Sequence, residues 1–138
     1  KLSGYEVLII DPRQAFASKS RFPGITLNHS WPDEAMTELD PDRRTAVVTL
    51  THDPKLDDPA LMVALRSNAF YIGSLGSKRT HAKRLERLRE AGLLEEELKR
   101  INAPIGLDIG AVSPAEIAIS VMAQITANLH APEKRVAA

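Results

Sequence analysis

Gly73, Ser74, Gly76, Ser77, Lys78, Arg79, Thr80 and His81 crowd into one short stretch directly after the apolar run Phe70-Tyr71-Ile72. The run favours a strand, the glycines and serines from Gly73 to Ser77 favour a turn, and the sequence from Thr80 onward favours a helix. Such a junction suits an anion. Glycine permits backbone angles and close approaches that a Cβ hinders, while the first N–H groups of a helix have no partner within it and carry the positive end of its dipole. Lys78, Arg79, Lys83, Arg84, Arg87 and Arg89 add side-chain charge, opposed locally by Glu86 and Glu90. Local chemistry alone also allows an ordinary strand-to-helix turn followed by a solvated basic face.

Similar polar groups follow other apolar runs. Val7-Leu8-Ile9-Ile10 reads as a strand buried on both faces and ends at Asp11-Pro12-Arg13. Asp11 is placed to hold ribose hydroxyls or, equally, to bond turn N–H groups, and Arg13 to neutralise a phosphate or pair with Asp11. Thr45 to Leu50 is the clearest strand and runs into Thr51, His52 and Asp53. These three could orient a ligand or move protons. No nucleophile follows at a recognisable spacing, so binding or loop structure is the better reading and no catalytic residue is assigned. Asp108 and Gly110 occupy a fourth such loop, after Ile105, with a turn role as the alternative.

The elements that would position these groups alternate along the chain. Ile25 to Leu27 is a short strand after a Pro-Gly turn, and Trp31-Pro32-Asp33-Glu34 opens a helix that Asp40-Pro41-Asp42 ends, with Trp31 a core or hinge side chain. Asp58 is expected to cap a helix with Pro59 at its first position. Ala82, Leu85 and Leu88 give the basic helix an apolar face, Gly92 and Leu93 suit its end, and a short helix spans Glu95 to Ile101. Ile105 to Ala111 supplies a last strand. Ser113 and Glu116 have capping-box spacing, before a helix with Ala118, Val121, Met122, Ile125 and Leu129 on its buried side. Strands alternating with helices predict an α/β fold, a Rossmann-like, mostly parallel sheet with helices on both faces and ligand loops along one edge.

The 138 residues make one domain, expected over 1–131 with a tail at 132–138. Eighteen basic and eighteen acidic side chains cancel, which argues against coating nucleic acid or a membrane. Without cysteine there are no disulfides, thiolate metal sites or cysteine nucleophiles. No apolar run is long enough to span a bilayer, and a cytoplasmic location is expected.

The ordered runs Val7 to Arg13, Leu50-Thr51-His52-Asp53-Pro54-Lys55-Leu56-Asp57, Ala69 to His81 and Ala103-Pro104-Ile105-Gly106-Leu107-Asp108-Ile109-Gly110 resemble the Rossmann-type domain of the XdhC and CoxI family, the xanthine dehydrogenase accessory proteins. The resemblance covers nearly the whole chain. It implies an accessory chaperone, not a catalyst, that binds molybdenum cofactor (molybdopterin). It also implies help with sulfuration of that cofactor, alongside a cofactor sulfurase, and with its insertion into a molybdenum hydroxylase such as xanthine dehydrogenase. Asp11, Arg13, Thr51 to Asp53, Gly73 to His81 and Asp108 to Gly110 become the matching pocket positions. Two other readings compete: an NAD(P)-binding oxidoreductase domain, suggested by Asp11, and a noncatalytic assembly module. Family members carry an earlier strand, glycine-rich turn and helix, whereas no G-x-G-x-x-G occurs here. The absent βα unit would leave a gap in the middle of the sheet, with unpaired strand edges. A longer parent protein is therefore expected, with another segment or a second copy completing the sheet.

Overall fold

The computed structural model describes residues 1–137, and side chains through Ala131. Five strands and five helices follow in order: β1 (Leu8–Ile10), β2 (Thr26–Asn28), α1 (Pro32–Leu39), β3 (Ala46–Thr49), α2 (Pro54–Leu65), β4 (Tyr71–Ser74), α3 (Lys78–Glu90), α4 (Glu95–Leu98), β5 (Ile101–Asn102) and α5 (Pro114–Ala137). All strand pairs are parallel. They form a two-stranded sheet, β1-β2, and a three-stranded sheet, β3-β4-β5. The tail expected over 132–138 lies outside the residues whose side chains are described.

Strand β4 is buried along its whole length. Successive side chains of a strand point to opposite faces, so Tyr71 and Ile72 divide the core between them. Ile72 joins Val47 with Leu61, Leu65 and Leu88 of α2 and α3, while Tyr71 packs with Ile105, Ile125 and the half-buried Val48 and Val121 on the α5 side. Helices therefore cover both faces, as the apolar runs predict. The strand continues through Gly73 and Ser74, where a turn was expected. Pairing on both edges overrides the local preference: Gly73 stands opposite Val48 of β3 and Asn102 of β5. A Cβ on Gly73 would meet Ile105 Cδ1 and the Tyr71 hydroxyl at 2.7 Å, so this glycine serves close packing inside the sheet.

Three other expectations are corrected. Helix α2 starts at Pro54 with Asp53 as its cap, and Pro59 lies inside it; the Asp58 carboxylate is instead taken by Arg87 at 2.7 Å. The last strand is Ile101–Asn102, where a helix end was expected. Residues near Ile105 leave the sheet to dock on α5, through Gly106 N–H to Gln124 Oε1 (3.0 Å) and Leu107 N–H to the Ser120 carbonyl (3.1 Å). Trp31 sits at the N-cap of α1 and is half exposed. Burial also differs in two places: Leu8 of β1 is exposed, where a strand buried on both faces is expected, and Ala118 and Leu129 of α5 are exposed, where a buried stripe is expected. The other capping signals hold. After α3, Leu93 N–H reaches the Leu88 carbonyl and Gly92 N–H that of Arg89, the paired bonds of a Schellman end. Ser113 and Glu116 exchange the two bonds of a capping box.

The sheet is split where the gap was expected. Leu75 N–H donates to the Thr49 carbonyl, so Val47 and Thr49 turn their polar groups to β4 while Ala46 and Val48 turn theirs to the other edge. Asp11 N–H donates to the Asn28 carbonyl, so Leu8 and Ile10 likewise face away from β2. Among the described residues no strand pairs with either edge.

Adjacent valines test this arrangement. The Val47 amide is expected to exchange with deuterium on the order of 100-fold more slowly than that of Val48, and equal rates by NMR would mean that the β3 edge is covered. A second expectation concerns the end of α2, where the Arg100 guanidinium gathers the carbonyls of Leu65, Ser67 and Ala69 at 2.8, 3.0 and 2.7 Å. Arg100→Met should lower unfolding free energy by about 2 kcal/mol in urea titrations.

Candidate functional site

Helix α3 begins with its own cap. Ser77 Oγ accepts from Thr80 N–H at 3.1 Å and lies 3.1 Å from the Thr80 hydroxyl, so these two side chains hold the first turn together. Gly76, with φ of 140°, makes the preceding corner in a conformation that side chains disfavour. Lys78 and Arg79 then occupy the first helical turn, which contains no acidic residue. Both are exposed, and neither forms an ion pair among the described residues. Cations at the positive end of a helix dipole raise the local potential at a cost in stability, and a bound anion relieves both.

Much of the remaining basic cluster is committed to structure. Arg87 forms a fork with Asp58, and Arg89 pairs with Glu95. Arg84 is only 3% exposed; it donates to the Leu75 carbonyl at 2.9 Å and lies 3.2 Å from His81 Nδ1. Ser74 is buried against Thr49, hydroxyl to hydroxyl at 2.6 Å, beneath the loop and within β4.

The loop after β3 is built around Asp57, a residue the sequence did not single out. Its buried carboxylate accepts from the Thr51 hydroxyl at 2.7 Å and from His52 N–H at 3.2 Å. Asp53 caps α2 through Lys55 N–H at 3.0 Å. Thr51 and Asp53 thus spend their side chains on the loop, and the His52 backbone, with φ of 63°, is held in a left-handed corner that leaves its ring on the surface.

After β1, both oxygens of Asp11 are engaged by Arg13: Oδ1 by the backbone N–H and Nε at 2.8 and 3.0 Å, and Oδ2 by Nη2 at 2.9 Å. Burial raises the Asp11 pKa, but the Arg13 hydrogen bonds and charge outweigh it, so the carboxyl lies below its ordinary value. The Arg13 guanidinium also lies 4.3 Å from the centre of the Phe16 ring.

Three of the four expected loops are drawn to one end of the fold. Arg13 feels the charges of Asp53 and Asp57, and Arg84 those of Asp57 and Asp58. Asp108 and Gly110 are exposed on a segment tied to α5, with no hydrogen bond to the other three loops among the described residues. Two open clefts lie elsewhere. One, of about 230 Å³, is lined by Ala69, Phe70, Ile72, Lys99, Arg100, Asn102 and Asn128; the other, of about 380 Å³, lies between α1 and α2. The converging loops line neither, consistent with an open sheet gap beside them. Arg84 stands in the basic cluster and Asp57 in one of the family-like runs, but their structural roles lacked a sequence signal, because a carboxylate or guanidinium that organises a loop looks in sequence like any other charge on a helix.

These environments make stability depend on pH in a stated direction. Burial first, and the Arg84 charge second, lower the His81 pKa below 6.5. The unfolded chain therefore takes up this proton before the folded one, and stability falls as pH drops through 6.5 toward the folded value. Asp11 adds a further loss as pH falls through the carboxylate range. Urea midpoints should decline between pH 6.5 and 5.5, and His81→Gln should flatten that step relative to the parent; parallel profiles would contradict the assignment.

Residues 1–125 match the family described as the XdhC Rossmann domain. The chain is 39% identical over 104 residues to the molybdenum cofactor insertion chaperone PaoD of Escherichia coli, covering 75% of this chain and 32% of that protein. It is 33% identical over 124 residues to a Bacillus subtilis protein described as a probable xanthine dehydrogenase subunit, covering 89% and 36%. A crystal structure described as a xanthine dehydrogenase from Bacillus halodurans shares the fold, with a TM-score of 0.76 and 27% identity over 94% of this chain and 37% of that one. The chain thus spans 32 to 37% of the length of these three proteins. By the match over most of its length, the chain belongs to the XdhC family, within that family's Rossmann domain.

Proposed function

We propose that this domain binds molybdenum cofactor as cargo and serves its delivery to a xanthine dehydrogenase-type molybdenum hydroxylase. The observation that carries this reading is the start of α3, where Lys78 and Arg79 add two cations without ion-pair partners among the described residues to the positive end of a helix dipole. The cofactor presents a phosphate, and the donor set fits one: the backbone after Gly76, the first N–H groups of α3, and the Lys78 and Arg79 side chains. The relatives' names, a molybdenum cofactor insertion chaperone and a probable subunit of xanthine dehydrogenase, support the same cargo and the same class of recipient. In this reading a cofactor sulfurase acts on the cargo while it is held. Ser77 and Thr80 shape the helix start, Thr51, His52 and Asp53 form the neighbouring wall, and Asp11 with Arg13 forms the far rim. Asp108 and Gly110 reach the cargo only from the α5 side. The open edges of β1 and β3 support a further strand, from another segment or a second copy, as the remaining wall.

The nicotinamide alternative asks Asp11 to hold a ribose, yet both its oxygens are already bonded to Arg13. That favours the phosphate-led reading. The test is copurification and calorimetric titration with molybdenum cofactor, with NAD and NADP as competitors. Lys78→Met with Arg79→Met should weaken cofactor binding about 100-fold, the loss of two charge-assisted contacts. Unchanged cofactor affinity in that variant, or tight NAD(P) binding in the parent, would overturn the proposal.

A further inference from the structure

The geometry points to Arg84 as a positioning residue that fixes His81 in the Nε2–H form, so that the imidazole meets the bound anion as a neutral hydrogen-bond donor and not as a proton acceptor. The inference rests on the anion-binding reading of the α3 start and gives that site one more donor.

The tautomer follows from the partner's chemistry. A guanidinium has donors and no acceptor. Arg84 Nη1 lies 3.2 Å from His81 Nδ1, so Nδ1 must accept and the ring proton belongs on Nε2. The other half of the guanidinium, Nη2, donates to the Leu75 carbonyl at 2.9 Å. One buried side chain thus ties the end of β4 to the first turn of α3 across the Gly76 corner. A Cβ on Gly76 would come within 3.4 Å of that same Nη2, so corner and clamp are fitted to each other.

Position and charge support the donor role. His81 N–H donates to the Ser77 carbonyl at 2.9 Å, which sets the residue in the turn that Ser77 caps, at the end of the helix where the free N–H groups emerge. The ring is partly buried, and its Nε2 meets no protein acceptor among the described residues. Arg84 itself has no carboxylate within ion-pair distance there; Asp57 and Asp58 act on it only through space. Burial makes protonation of the imidazole costly, and the nearly inaccessible Arg84 cation, lacking a counter-ion among the described residues, adds to that cost. The imidazole then stays neutral at pH 7, with its remaining N–H available.

Two-dimensional long-range 15N–1H spectra of the histidine-labelled chain read the tautomer directly, and a titration with inorganic phosphate reads the donor role. In the parent protein His81 should show the Nε2–H pattern at pH 7, and phosphate should shift its Nε2–H and the amides from Gly76 to His81. Arg84→Lys, which keeps the charge but loses the planar fork, should give a mixture of tautomers while the remaining amide spectrum persists. His81→Gln, which keeps an N–H at a similar reach, should hold phosphate within about twofold of the parent, whereas His81→Phe should weaken it about threefold to tenfold. An Nδ1–H pattern in the parent overturns the proposal whether or not Arg84 variants fold. Phosphate binding at the loop with His81→Phe as tight as the parent overturns the donor role and leaves the anion reading standing. No phosphate shift anywhere from Gly76 to His81 overturns both, even with the Nε2–H tautomer observed.

Discussion

The arrangement at the loop end depends on β4 being enclosed on every side. Its faces are sealed by Tyr71 toward α5 and by Ile72 toward α2 and α3, and its edges are laddered to β3 and β5. Burial of a side chain of this size from water stabilises by about 2 kcal/mol, and two such groups back to back leave the strand little freedom. Everything downstream inherits that rigidity. Ser74 is locked to Thr49, and Leu75 is bonded to both Thr49 and Arg84, so the start of α3 is tied to the end of β4.

On this platform the polar groups sort into those that build and those that remain available. Asp57 assembles the loop after β3, Asp53 and Ser77 cap helices, Arg87 and Arg89 staple α3 to its neighbours, and Arg13 occupies Asp11. Among the described residues Lys78, Arg79 and Lys83 are left over, the first two in the first turn of α3. A carboxylate in that first turn would have suited the dipole, so the choice of two cations concentrates positive potential where no group among the described residues pairs with it. The proposed anionic cargo draws support from two separate observations, the family assignment and this electrostatic imbalance.

Much of the architecture could be read in the sequence where the deciding forces are local. The end of α3 at Gly92-Leu93 and the start of α5 at Ser113-Pro114 follow from capping chemistry within a few residues, and both form as expected. Sequence and structure differ where distant partners decide. Gly73 and Ser74 look like a turn until β3 and β5 pair beside them, and Ile101-Asn102 looks like a helix end until Ile72 offers a ladder. Pro59 and Pro54 compete as helix starts, and the Asp53 cap favours the earlier one. In the site, sequence order placed the loops after β1, β3 and β4 at one end of the fold, but it could not show which charges would be consumed by their neighbours. Asp57 and Arg84 become visible only when the loops are folded around them.

The split between β1 and β3 also bears on how such a chain behaves in a tube. Backbone donors and acceptors at Leu8, Ile10, Ala46 and Val48 face outward with no ladder to join among the described residues, and bare edges of this kind adhere to any extended peptide that meets them. Concentrated samples of the 138 residues by themselves would cling to one another in varied registers, because strands of three and four residues define no single alignment. A strand seated in that opening, as proposed above, would therefore act as a solubility device as well as a wall.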